Sequence, residues 1–281
     1  MMSKFADPTS DFGFKKLFVD PKNKSLLISF LNSILERKGQ DRIADAIITD
    51  PNNFPVVSGD RHSIVDVRCK DERGKNYIIE IQVEDERNFP QRCVYYAARA
   101  LTLQLDVKQD YKEIMPVIFL GILGFKLFPW KHYLSHLLIT DQITKEQAFD
   151  VCEWHIVELP KFKKTETEVV TDADRWLYLF KNAADLSSVP TCLEKAKETE
   201  HAMEILDRHL WSKEDVERFE RALHAERVQR SVMETAGQIG EERGEQKKTI
   251  AVAKQMLVEG LPVNLISKVT GMSEEEIKKI K

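Results

Sequence analysis

Residues 63–82 read SIVDVRCKDERGKNYIIEIQ, with an apolar run on each side of a polar segment that contains Gly74. Two β-branched apolar runs separated by a short Gly-containing turn are typical of a β-hairpin. Because side chains alternate across a strand, residues two positions apart share a face. The sequence therefore predicts a hairpin with one apolar face and with Asp66, Glu80 and Gln82 gathered on the opposite face.

Two carboxylates on neighbouring strands repel each other unless another group offsets the cost. A divalent ion such as Mg²⁺ does so, because it binds carboxylate oxygens, keeps several waters and contacts phosphate. The alternative is an ordinary solvated outer face of a hairpin, where acidic residues are common. Alternation by itself favours that alternative, so the metal-site interpretation depends on the rest of the chain.

Four phrases occur in a fixed order along the chain: Asp11-Phe-Gly-Phe-Lys-Lys-Leu-Phe18, Asn23–Leu35, the hairpin, and Gln91-Arg-Cys-Val-Tyr-Tyr-Ala-Ala-Arg99. Together they resemble the PD-(D/E)XK nuclease superfamily and, within it, the Rpn-type recombination-promoting nucleases, often labelled transposases. The resemblance implies an α/β fold: a restriction-endonuclease-like core with a central mixed sheet flanked by helices, followed by a helical C-terminal region.

The resemblance also implies a site. Asp66 and Glu80 correspond to the ligands of Mg²⁺, and the carbonyl of Ile81 is a candidate third oxygen. Gln82 corresponds to the residue that positions the attacking water. Asp11, in the N-terminal phrase, is the candidate for an additional acidic residue.

Two positions depart from the superfamily pattern. Val65 stands where the superfamily name has Pro, which is a commonly tolerated change. Gln82 stands where the name has Lys. A neutral amide can orient a water, but it supplies no positive charge to a transition state. This departure leaves open a catalytically degenerate protein with the same fold.

A helix is predicted at Phe89–Val107, with an apolar stripe that includes Val94 and Ala97. Arg92, Tyr95, Tyr96 and Arg99 form a second stripe at spacings of three and four. Arg and Tyr side chains along one helix face suit contacts with DNA phosphates, and Arg92, Tyr96 and Arg99 are the candidates. The alternative places the Tyr rings in the core and pairs the Arg residues with Glu84 or Glu86. Lys15, on a predicted N-terminal helix, is a further candidate for phosphate contact.

Continuous apolar character at Ile114–Phe125 predicts a strand buried on both faces. Another apolar strand is predicted around His155–Leu159. His132, His136 and His155 are too scattered along the sequence to predict a metal site.

Composition places few limits on function. The 281 residues are 42% hydrophobic and 31% charged, and the net charge is −4. A DNA-binding surface must therefore come from local basic patches. Four widely spaced cysteines and the lack of an apolar N-terminal segment predict a cytoplasmic protein without a membrane anchor.

The predicted domains are a nuclease-like domain with trailing helices at residues 1–236, a Gly-containing linker at 237–246 and a small helical module at 247–281. Short helices separated by Gly271 give the module a helix-turn-helix outline, and a capping box at Ser273 begins the last one. Glu274, Glu275 and Glu276 open that helix and would repel phosphate. A packing or self-association module is thus at least as well supported as a DNA reader.

The leading hypothesis is a Mg²⁺-dependent DNA endonuclease with low sequence specificity, linked to recombination or mobile elements by resemblance. The alternative is a degenerate nuclease fold that serves as a DNA-binding or dimerising scaffold, and a homodimer is compatible with either. A metalloenzyme that acts on a small phosphoester is a third option, and it would need a closed pocket.

Overall fold

The computed structural model describes residues 3–49, 67–84, 88–105 and 110–280. Close packing divides the chain into two units, Met1–Arg218 and Phe219–Lys281. The first unit contains the mixed sheet. The second is entirely helical within the described residues.

The first unit begins with two amphipathic helices, α1 (Asp11–Phe18) and α2 (Lys24–Ile34). Ser10 caps α1, since its hydroxyl accepts from the backbone N–H of Gly13. The buried face of α1 presents Phe14, Leu17 and Phe18. These apolar side chains of α1 therefore pack in the core and are not in contact with solvent.

The strands are β1 (Ala46–Thr49), β2 (Val67–Asp71), β3 (Asn76–Gln82), β4 (Val117–Leu123), β5 (Leu134–Thr140) and β6 (Gln147–Glu158). They form one sheet in the order β1-β2-β3-β4-β6-β5. The β3–β4 and β4–β6 pairs are parallel and the others antiparallel. This mixed sheet with flanking helices confirms the predicted fold class.

The described part of the predicted hairpin is present. β2 and β3 pair antiparallel, with Val67 opposite Ile79 and Arg68 opposite Ile78. Gly74 has φ +83° in the connecting turn, a conformation that L side chains rarely adopt. Asp66 lies outside the described residues, as does Val65.

The two faces of the sheet contact different helices. Tyr77 and Ile79 pack into a large cluster that also contains the apolar faces of α1, α2, α4 (Asp172–Asn182) and α6 (Lys197–Leu206). Ile78 packs into a smaller cluster with α3 (Phe89–Thr102). We call these the α2 face and the α3 face. β4 is buried along its whole length between them, as its continuous apolar character predicts.

The predicted apolar stripe of α3 is confirmed at Ala97 and wrong at Val94 and Ala98. Val94 is 58% exposed and Ala98 is exposed, whereas Cys93, Tyr96 and Ala97 are buried. The buried face of α3 consists of Phe89, Cys93, Tyr96, Ala97 and Ala100. Tyr96 is therefore a core residue, as the alternative interpretation held.

A short helix, α5 (Thr191–Glu194), precedes α6, and a long helix, α7 (Lys213–Val258), covers the end of the first unit and the start of the second. Residues 237–246, the predicted Gly-containing linker, lie inside α7. Three glycines over eight residues lower helix propensity, but the flanking sequence is rich in strong helix formers.

The second unit continues with α8 (Val263–Thr270) and α9 (Glu274–Lys279). Gly271 ends α8 in the left-handed conformation, and Ser273 and Glu276 form the predicted capping box at α9. Ala253, Ile266 and Ile277 form the buried centre of this unit. Within the described ranges, no helix is both long enough and apolar enough to cross a bilayer.

Candidate functional site

The carboxylate of Glu80 lies on the α3 face near the end of β3. The residue is only 3% exposed, so the solvated-face alternative is wrong for this position. Arg92, on the first turns of α3, donates from Nη2 to Oε2 of Glu80 at 3.0 Å. A buried carboxylate requires such a partner, because leaving it unpaired would cost several kcal/mol, on the order of 3–5.

Gln82 lies two residues further along β3 and therefore on the same face. Its Oε1 accepts from Nη1 of Arg92 at 3.5 Å, and its Nε2 donates to the carbonyl of Glu84 at 3.2 Å. Three of the predicted site residues, Glu80, Gln82 and Arg92, thus meet at one end of the sheet.

Aromatic rings hold the Arg92 guanidinium in place. Its centre lies 5.8 Å from the ring centroid of Phe89 and 5.7 Å from that of Tyr96. Both rings come from α3, at three residues before and four after, so the helix itself builds the cradle. Tyr96 contributes by positioning Arg92 rather than by presenting an exposed surface.

Two glycines of the β4 region allow this close packing. Gly121 lies directly opposite Glu80 in the sheet, and a Cβ there would be 3.1 Å from Cζ of Phe89. Gly124 donates its backbone N–H to the carbonyl of Gln82 at 2.8 Å, and a Cβ there would be 2.6 Å from the carbonyl oxygen of Val83. Larger residues would push α3 or the end of β3 away.

Arg68 was not among the predicted site residues. It lies opposite Ile78, on the α3 face, and only 9% of it is exposed. Glu80 is its diagonal neighbour across the strand pair, a relation that places Cβ atoms about 7–8 Å apart. Burial lowers the pKa of Arg68, but a guanidinium remains charged at neutral pH. The sequence signal for Arg68 was its position two residues after Asp66, because residues two apart on a strand share a face.

A buried thiol, that of Cys93, also lies close to Glu80. Cys93 lies one helix position after Arg92, and burial raises the pKa of its thiol to about 12, with a further contribution from the Glu80 charge. This thiol is therefore protonated and does not act as a nucleophile.

Oxygen donors suited to Mg²⁺ are present at this strand end. They are the Glu80 carboxylate, the Gln82 amide oxygen and the Ile81 carbonyl. The backbone carbonyls of successive residues point to opposite sides of a strand. The backbone carbonyl of Gln82 accepts from Gly124 on the β4 side of β3. The backbone carbonyl of Ile81 therefore points to the other side, where β2 begins at Val67.

The remaining predicted residues lie elsewhere. Arg99 is part-exposed on α3 and donates to the hydroxyl of Tyr95 at 3.4 Å. Asp11 and Lys15 form an ion pair with each other at 2.6 Å on α1, whose apolar side packs on the α2 face. Their roles at the site stay predictions.

Comparison with known families identifies both parts of the chain. Residues 8–236 match the family described as PD-(D/E)XK nuclease family transposase. Residues 246–281 match the C-terminal HTH domain of the Rpn/YhgA-like nuclease family. No curated protein and no solved structure matches the chain. Since the first match covers most of the sequence, the chain belongs to the PD-(D/E)XK nuclease family transposases and carries the C-terminal HTH domain of the Rpn/YhgA-like nucleases.

Proposed function

We propose that this protein is a metal-dependent DNA endonuclease that hydrolyses phosphodiester bonds with low sequence specificity, in the context of recombination or mobile elements. The observation that carries the proposal is the meeting of Glu80, Gln82 and Arg92 at the end of β3, in a chain of this nuclease family. Catalysis of this kind requires carboxylates for an ion and cations for phosphate at one place.

Asp66 is proposed as the second carboxylate. It directly precedes Val67, whose partner across the strand pair is Ile79, the neighbour of Glu80. The described register ends one residue after Asp66 and one residue before Glu80, so chain connectivity and the family resemblance support Asp66 as the partner of Glu80 in the site. Asp66, Glu80 and the Ile81 carbonyl would hold Mg²⁺, which would supply charge neutralisation at the phosphate and a lower pKa for the attacking water.

The chain's own side chains supply the other functions. Gln82 would orient the water through its amide, which already contacts Arg92. Arg92 would contact the DNA phosphate once Glu80 binds the ion. Arg68 and Arg92 would together provide the positive charge that Gln82 lacks relative to Lys. Phosphate contacts of this kind carry no sequence information, which is why low specificity is proposed for this unit.

DNA binding by the HTH domain is part of the same proposal. Helix-turn-helix domains place their second helix in the major groove, and α9 occupies that position after the Gly271 turn. The acidic residues at its start would disfavour close phosphate contact. The HTH domain would therefore contribute to orientation more than to affinity.

The test is cleavage of supercoiled plasmid by the purified full-length protein in Mg²⁺, Ca²⁺ or EDTA. Asp66→Ala is compared with wild type, and Asp45→Ala, which removes an exposed acid paired with Lys24, serves as the matched control. Nicking that requires Mg²⁺, survives in Asp45→Ala and is lost in Asp66→Ala supports the proposal. No cleavage by wild type, with DNA binding intact, would favour the scaffold alternative.

A further inference from the structure

A second group of potential ligands lies on the α2 face of the sheet, on β5 and β6. His136 and His155 are directly opposite each other in this antiparallel pair. Glu153 precedes His155 by two residues and shares its face. Oε2 of Glu153 is 3.2 Å from Nε2 of His155 and 3.6 Å from Nε2 of His136.

The charge states of these groups suit metal binding. His155 is 3% exposed, and burial lowers its pKa, so its imidazole is neutral at pH 7. An ion would replace the Nε2 hydrogen bond to Glu153 and take the lone pair of the tautomer that carries its proton on Nδ1. The hydrogen bond from His155, together with the Arg37 guanidinium, lowers the pKa of Glu153 to about 2, so this group is a carboxylate. His136 has a side chain that is 46% exposed, which opens the cluster to solvent.

The spacing agrees with a tetrahedral ion. Bonds of about 2.0–2.1 Å to nitrogen and oxygen place neighbouring ligand atoms roughly 3.3 Å apart. The two measured separations, 3.2 and 3.6 Å, bracket that value. Two imidazoles with one carboxylate favour Zn²⁺ over Mg²⁺, because Mg²⁺ prefers oxygen ligands only.

We propose that His136, Glu153 and His155 form a Zn²⁺ site that is separate from the nuclease site on the opposite face of the sheet. A bound ion would link the edge strand β5 to the interior strand β6 through side chains, in addition to their backbone hydrogen bonds. The site has three protein ligands, which leaves a coordination position for water.

Binding of Zn²⁺ depends on the orientation of the His136 ring and on the contact between Arg37 and Glu153. The imidazole rings of His136 and His155 stack, with centroids 4.1 Å apart and planes 20° apart, so their lone pairs run side by side. The exposed His136 ring would therefore tilt within its present rotamer, so that its Nε2 points at the ion and stays close to Glu153. Arg37 donates to Oε2 of Glu153 at 2.6 Å and acts as the outer partner that orients the carboxylate, since that oxygen has a second lone pair.

The experiment uses the full-length protein with excess Mg²⁺ to occupy oxygen-rich sites. Zn²⁺ binding is measured by equilibrium dialysis, and the visible absorption of added Co²⁺ reports nitrogen ligation. His136→Gln is compared with wild type and with His132→Gln, a matched control at an exposed histidine outside the cluster. Circular dichroism verifies that each variant is folded.

We expect wild type and His132→Gln to bind about one equivalent of Zn²⁺, and His136→Gln to lose affinity by at least about tenfold. Glu153→Gln should also lose affinity and the Co²⁺ absorption. Equal Zn²⁺ binding by all variants, or no binding by wild type, would overturn the proposal. Neither result depends on nuclease activity, so the two proposals can fail independently.

Discussion

Two arginine–glutamate pairs lie on opposite faces of the same sheet. Arg92 contacts Glu80 at 3.0 Å on the α3 face, and Arg37 contacts Glu153 at 2.6 Å on the α2 face. In both, a helical or post-helical arginine reaches a strand carboxylate. What differs is the third partner: an amide, Gln82, on one face and two imidazoles on the other.

This difference shows that an ion pair does not define a site by itself. Oxygen donors at a strand end, next to a buried second arginine, suit a hard ion and phosphate. Nitrogen donors in the middle of a strand pair suit a softer ion or a structural cluster. The neighbours one strand or two residues away decide the chemistry, and each neighbour can be changed separately.

The largest expected difference between the faces is in cleavage. Glu80→Gln should lower plasmid nicking by about 10³-fold, because the loss of a ligand forfeits several kcal/mol of charge stabilisation. Glu153→Gln, the matching change on the α2 face, should leave nicking within about twofold. Initial nicking rates in Mg²⁺ measure both. Similar losses in the two variants would mean that the faces do not divide the functions as proposed.

Stability should separate the two arginines. Arg92→Gln should lower the free energy of unfolding of the first unit by about 3–5 kcal/mol, because the buried Glu80 carboxylate would lose its charged partner. Added Mg²⁺ should restore part of that loss if Glu80 binds the ion. Arg37→Gln should be destabilised similarly without recovery in Mg²⁺. Urea unfolding with and without Mg²⁺ gives the result, and recovery in both variants would contradict the assignment.

The α2 face should respond to acid. Glu153 has a pKa near 2 in the folded protein, below its usual 4.5, and the pKa of His155 is also lowered. For both groups the unfolded chain binds protons more readily, so stability falls as pH decreases. The Glu153 contribution is complete above pH 4.5 and is lost as pH falls toward 2. Glu153→Gln should show a shallower acid loss in urea unfolding from pH 7 to 3, and an unchanged slope would refute this.

The smallest expected effect concerns the exposed end of the α3 face. Arg99→Ala should weaken DNA binding by less than about tenfold and reduce the salt slope of log affinity by roughly 0.9, the loss of a single phosphate contact. Fluorescence anisotropy from 50 to 200 mM salt would measure the slope. An unchanged slope would show that Arg99 contacts Tyr95 and makes no contact with DNA phosphate.

The sequence predicted local structure well where a short-range rule applied. Alternation predicted β3 and the common face of Glu80 and Gln82, and the capping rules predicted Ser273. It failed at part of α3, where Val94 is exposed although it was predicted to be in the apolar stripe, and Cys93 is buried although it was not. Because apolar residues occur on both sides of that helix, the sequence alone does not determine which face is buried against the sheet.

The family phrases and strand alternation in the sequence determined the fold class and the common face of Glu80 and Gln82, because these depend on neighbours along the chain. Only the tertiary structure decided that Arg92 pairs with Glu80, that Arg68 shares their face, and that His136 meets His155 and Glu153. Those contacts depend on the order β4-β6-β5 and on the packing of α3. Residues far apart in sequence meet there through strand register, which no local pattern encodes.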